Sequence, residues 1–203
     1  MISPKKIAKI EARAKGGDAG AIYDLAQRSL SGDSFPKDAR RARDLITRAA
    51  EADYAKAVFL LGVWAQTGEH GAEDPTKAAA YYKRAGELGH ARAWLNLGIL
   101  QQVGLGLDAD LNAAAESYKK GAGCGAGQAA ANLGNLYETG MLNKGEPNFE
   151  DAAHWYRRAI QLGYAEARAS LDALHEAAGI PALMTDTPRA KSSSLWKRLL
   201  GLK

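Results

Sequence analysis

The sequence predicts an all-α chain: a solenoid of stacked helical hairpins with four full repeats and capping helices. Three observations predict it. The stretches AKAVFLLGVWAQTG from Ala55, ARAWLNLGILQQVG from Ala91 and GQAAANLGNLYETG from Gly127 superpose at a spacing of 36 residues. Glycine recurs at fixed places within that period, and so does aspartate or asparagine. Alanine, the strongest helix former, fills 41 of 203 positions and falls in register. A fixed period of this length marks a repeat architecture in which each unit buries its apolar face against its neighbours.

Taken in order, residues 1–17 read as an N-terminal capping helix. Ser3 stands at its cap, Pro4 in its first turn, and Ile7, Ile10 and Ala14 form a narrow apolar stripe. The solenoid runs over 18–178, with units near 19–54, 55–90, 91–126 and 127–164 and a capping helix over 165–178. Each unit predicts two helices. Gly32, Gly68, Gly104 and Gly140 follow the first helix, and Gly89, Gly125 and Gly163 follow the second, where a left-handed residue ends a helix. Asp38, Asp74, Asp110 and Asn148 stand where the second helix begins, as N-caps, and Pro75 fits the first helical position. Gly62, Gly98 and Gly134 fall inside first helices, where glycine costs about 1 kcal/mol relative to alanine. The expected gain is close approach between neighbouring helix backbones. Ala26 holds that position in the first unit and Asp172 in the last, as expected of an end without a further neighbour.

Hydrophobic residues make up 46% and charged residues 25%, a globular composition, and no apolar run has membrane-spanning length. The first residues lack the apolar core of a signal peptide, and the single cysteine, Cys124, permits no internal disulfide. The expected compartment is the cytoplasm, with peripheral membrane contact left open. The net charge of +4 is uneven. Residues 188–203 carry five basic side chains and no acid, residues 1–15 carry +4, and the body between them is at −5. That distribution argues against nucleic acid along the repeats.

No constellation for catalysis stands out. His70, His90, His154 and His175 lie in unrelated places. Glu150 and His154 share a helix face at a spacing that is common by chance, and neither a metal nor a cofactor is expected. Cys124 lies in a glycine-rich stretch explained by helix termination, without a phosphate-loop lysine.

The half-repeat from Ala129 to Gly140 and the half-repeat from Asn148 to Ala159 carry a pattern that resembles the Sel-one-like repeats, the α/α relatives of tetratricopeptide repeats. The resemblance covers about Asp18 to Glu176, with Ala26, Ser117 and Asp172 departing from it. It implies a right-handed superhelix whose concave face binds other proteins, hence a non-catalytic adaptor or scaffold, in a bacterial setting. A toxin-neutralising or secretion-associated partner is a narrower version. By alignment to tetratricopeptide relatives, the groove lining would be Tyr23, Gln27, Lys56, Phe59, Val63, Gln66, Arg92, Leu95, Asn96, Ile99, Gln102, Gln128, Asn132, Asn135 and Glu138. Amide side chains both donate and accept, as an extended peptide requires, and Arg92 suits a carboxylate. Two alternatives stay open. The asparagines could instead bond to neighbouring loops, and Phe59, Val63, Leu95 and Ile99 could be inter-repeat core.

Residues 179–194 have linker composition. In the segment 195–203, Leu195, Trp196, Leu199, Leu200 and Leu202 cover one helical side. Lys197 and Arg198 fall on the other. Such a segment suits a partner, a membrane surface or the last repeat, and it makes the chain a candidate peripheral membrane tether.

Overall fold

The structure is a computed structural model and describes residues 3–177. The linker and the docking segment, with Leu195, Trp196, Lys197, Arg198, Leu199 and Leu200, lie outside the described residues. Ten helices follow one another, and no strand occurs among the described residues. They are α1 (Pro4–Lys15), α2 (Ala19–Ser31), α3 (Ala39–Glu51), α4 (Ala55–Thr67), α5 (Pro75–Glu87), α6 (Ala91–Val103), α7 (Leu111–Gly123), α8 (Gly127–Glu138), α9 (Phe149–Gln161) and α10 (Ala167–Ala177). Each helix packs against the next in the chain, so the hairpins α2–α3, α4–α5, α6–α7 and α8–α9 stack in a row.

Local chemistry sets the boundaries. Asp38, Asp74, Asp110 and Asn148 each accept a backbone N–H from the first turn of the following helix, at 2.9–3.1 Å. Gly32, Gly68 and Gly104 close the first helices at φ of 79°, 67° and 73°. At the position after the second helix the first repeat has Asp53 in place of glycine. It keeps the left-handed conformation (φ 56°) and pairs with Arg84 at 2.6 Å. Ser3 occupies the N-cap position of α1 with its carbonyl accepting from Lys6 and Ile7, but its side chain makes no cap hydrogen bond.

Burial separates the two kinds of helix. The second helix α3 is amphipathic: Ala42, Leu45, Ile46, Ala49 and Ala50 are buried, while Arg40, Arg43 and Arg48 face out. The first helix α6 lies between α5, α7 and α8 and buries Ala93, Trp94, Leu95, Leu97, Gly98 and Leu100 around much of its circumference. A helix with neighbours on several sides must be apolar on several faces.

The glycines inside the first helices have a different cause from the one their position suggests. At Gly62 and Gly98 the nearest neighbours are side chains, and at Gly134 the Ala152 backbone carbonyl also comes within 3.3 Å of a Cβ. Each lies beneath the tyrosine ring of the second helix in its own repeat. A Cβ at Gly62 would stand 2.7 Å from the Tyr82 ring, one at Gly98 2.5 Å from Tyr118, and one at Gly134 2.9 Å from Tyr156. All three tyrosines are buried. Ring burial, at roughly 1.5–3 kcal/mol per large apolar side chain, outweighs the helix-propensity cost. At the equivalent places the first repeat has Ala26 against Ile46, both fully buried. In α10, Asp172 is exposed.

Candidate protein-binding groove

The first helices carry the expected groove residues. α6 and α8, first helices of consecutive repeats, touch each other, whereas no two consecutive second helices approach as closely. The open side of α2, α4, α6 and α8 is the one that the resemblance to helical-hairpin repeats expects to be concave.

The proposed lining divides into three groups. Lys56, Arg92, Gln128 and Asn135 are exposed. Lys56, Arg92 and Gln128 occupy one register, the second residue of α4, α6 and α8, with Gly20 at that place in α2. Tyr23, Gln27, Phe59, Val63, Gln66, Asn96, Ile99, Gln102, Asn132 and Glu138 are half-buried. Leu95 is a correction. It is only 5% exposed and packs in the core with Tyr118, Ala129, Leu133 and Leu136, so it does not face an open groove.

Several of the half-buried polar groups already have partners. Tyr82 donates its hydroxyl to Gln66 Oε1 at 2.6 Å and Tyr118 donates to Gln102 Oε1 at 2.7 Å. Tyr156 donates to the Glu138 carboxylate. Burial pushes all three phenols above their ordinary range. For Tyr156 the Glu138 carboxylate adds to the shift, because a second negative charge beside it is unfavourable. Asn96 and Asn132, each from the following repeat, lie beside the Tyr82 and Tyr118 hydroxyls. These amides therefore tie one repeat to the next.

Aromatic groups concentrate at the N-terminal end of the face. Tyr23 packs on Tyr54 with ring centroids 5.2 Å apart, and Gln27 lies beside its hydroxyl. His90 stacks on Phe59 at 4.2 Å and 16°, and Tyr82 meets the same phenylalanine at 5.7 Å. The Arg92 guanidinium lies 5.9 Å from the Phe59 centroid. Burial, then the charges of Arg92 and Lys56, hold His90 below its ordinary pKa. Tyr54 and His90 were absent from the lining drawn from sequence. Their signal was positional: Tyr54, His90 and Tyr164 are ring-bearing residues at the step before the first helix, a register that holds Asp18 and Ala126 in the other two units.

Toward the C-terminal end the face becomes small and polar, with Ala131, Asn132 and Asn135 where the second repeat has Phe59, Leu60 and Val63. Glu150 and His154 form no site; the His154 ring packs edge-on to Trp155 at 5.3 Å. Among the described residues no three His, Cys, Asp or Glu side chains gather where they could hold a metal. No described helix is long and apolar enough to cross a membrane. Cys124 is exposed at the C-cap of α7.

Comparison with known proteins agrees with this architecture. The Sel1 repeat matches residues 19–54, 55–90, 91–125 and 127–164. The chain is similar to a Sel1 repeat protein from Oxalobacter formigenes, with 25% identity and a TM-score of 0.76 over 98% of this chain and 79% of that one. It is also similar to c5321, a protective antigen of uropathogenic Escherichia coli with an SLR fold. There the identity is 24% and the TM-score 0.77, over 96% of this chain and 40% of the other. A third structure, the immunity protein Pa5087 from Pseudomonas aeruginosa, shares the fold at 19% identity and a TM-score of 0.52, covering 82% of this chain and 62% of that one. No curated protein matches. Four consecutive matches, each on a helical hairpin, place the chain in the Sel1 repeat family, whose members generally mediate protein–protein interaction.

Proposed function

We propose that the chain is a non-catalytic adaptor that binds a segment of another protein along the open side of α2, α4, α6 and α8. The observation that carries this reading is the mixed surface there. Lys56, Arg92, Gln128 and Asn135 are exposed along these helices, the rings of Tyr23 and Phe59 are half-buried on them, and the Arg92 guanidinium lies 5.9 Å from the Phe59 centroid. Such a surface offers an extended chain hydrogen-bonding groups and apolar contact together. The half-buried amides Gln66 and Gln102 serve the solenoid through Tyr82 and Tyr118. Asn135 lies beside the Tyr156 hydroxyl and remains exposed, and Lys56, Arg92 and Gln128 are exposed with it; these four side chains are the ones assigned to a partner. The likeness to the immunity protein is one of fold and adds no partner.

A photo-crosslinking residue at Asn135 tests this, with one at Lys83, exposed on the second helix α5, as the control. In native lysate the Asn135 probe is expected to capture one discrete protein that the Lys83 probe does not. Equal capture at both positions, or capture at Lys83 alone, would overturn the reading.

A further inference from the structure

Resting on that reading, we infer that the front of the groove takes a protein segment bearing a carboxylate, held between Lys56 and Arg92 over the Phe59–His90 stack. The two cations stand at the same register of consecutive first helices, both exposed, and neither forms an ion pair among the described residues. The repeat body is net acidic, and Arg84, close in sequence, is paired with Asp53 at 2.6 Å. Beneath the pair lies an aromatic floor: His90 on Phe59 at 4.2 Å, Tyr82 beside it at 5.7 Å, and the Arg92 guanidinium 5.9 Å from the phenylalanine centroid. A floor of rings holds a guanidinium in place and lowers the local dielectric, which strengthens a charge-assisted bond from it. The Nδ1 atom of His90 is buried without a hydrogen-bond partner in the same cluster.

The register also gives the groove a direction. Lys56 and Arg92 are followed by the neutral Gln128 and then by exposed Glu166. A carboxylate is therefore favoured over α4 and α6 and disfavoured near the start of α10. The occupant that fits is an extended acidic segment with apolar side chains between its carboxylates. Its acids face the cations and its apolar groups face Phe59.

Neutral His90 supplies an independent readout. The charged groups that act on it are Lys56 from α4 and Arg92 from α6, and Tyr82 from α5 shares the cluster. All the charge facing it is positive, so a bound carboxylate raises its pKa.

The test uses the full chain and an acetylated peptide of alternating glutamate and leucine, with its glutamine counterpart as control. Binding is followed by fluorescence anisotropy, and the His90 imidazole by NMR titration. The glutamate peptide is expected to bind at least about tenfold more tightly than the glutamine peptide, and less tightly as salt rises. It should raise the His90 pKa. The double variant Lys56→Glu/Arg92→Glu, at two exposed positions that leave the core intact, should lose the glutamate peptide and gain a lysine–leucine peptide. Three results would overturn the inference: no binding of the glutamate peptide, equal affinity for the glutamine peptide, or an unchanged affinity in the double variant. Discrete capture at Asn135 combined with any of these would leave the groove standing and remove only its preference for acid. Failure at Asn135 would remove the groove reading itself.

Discussion

In the first repeat the positions that join its two helices are Ala26, Leu30 and Ile46. In the second they are Gly62, Gln66 and Tyr82, in the third Gly98, Gln102 and Tyr118, and in the fourth Gly134, Glu138 and Tyr156. The three positions change together. Where the second helix offers a tyrosine, the first supplies a glycine beneath the ring and an acceptor for the hydroxyl. Where it offers an isoleucine, the glycine becomes alanine and the acceptor becomes leucine. The contrast shows that these residues act as one packing unit with two solutions, one wholly apolar and one aromatic with a satisfied polar end. It also bears on function, since Gln66, Gln102 and Glu138 belong to that unit as well as to the edge of the groove.

The comparison is broken most sharply at Gly98. A Cβ 2.5 Å from the Tyr118 ring cannot be accommodated without moving a buried side chain. Gly98→Ala is expected to destabilise the fold by about 2 kcal/mol despite the better helix propensity of alanine. Chemical denaturation measures it, and a neutral or stabilising result would refute the packing account. The triple variant Gly98→Ala/Gln102→Leu/Tyr118→Ile copies the first repeat into the third. It should recover most of that loss, so that the three changes together cost less than Gly98→Ala alone.

A smaller effect isolates the polar end. Tyr118→Phe removes the hydroxyl that donates to Gln102 and is expected to cost about 1 kcal/mol. At the position of Ile46 in the first repeat there is no hydroxyl to remove.

The smallest effect appears in alkali. Burial raises the folded-state pKa of Tyr82, Tyr118 and Tyr156 above the ordinary tyrosine value of about 10. Below that value both folded and unfolded chains keep the proton, and the stabilisation is whole. As the pH rises past it the unfolded chain loses protons first, so stability falls through the folded-state pKa values. Melting temperature against pH should decline above about 10, and the decline should be shallower in Tyr82→Phe/Tyr118→Phe.

The repeats were readable from sequence because their signals are local. A cap such as Asp74 acts on Lys77, three residues away, and a terminating glycine such as Gly68 acts on the turn that contains it. The groove was readable only as a register. Leu95 and Arg92 belong to the same first helix, yet one faces Tyr118 and Leu133 and the other faces solvent. That difference depends on where α7 and α8 lie, which no spacing within α6 contains. The cause of the internal glycines was hidden in the same way. The ring that requires Gly98 belongs to Tyr118, 20 positions later in the chain.

The central claim is that partners meet the exposed residues of the first helices. It is tested most directly by the affinity of the captured partner for two surface variants. Gln128→Ala/Asn135→Ala alters the inner side, and Lys83→Glu/Lys119→Glu alters equivalent exposed positions on the second helices. Calorimetric titration should show at least about tenfold weaker binding for the inner pair and no change for the outer pair. Full affinity in the inner pair with loss in the outer pair would contradict the claim and move the binding surface to the convex side.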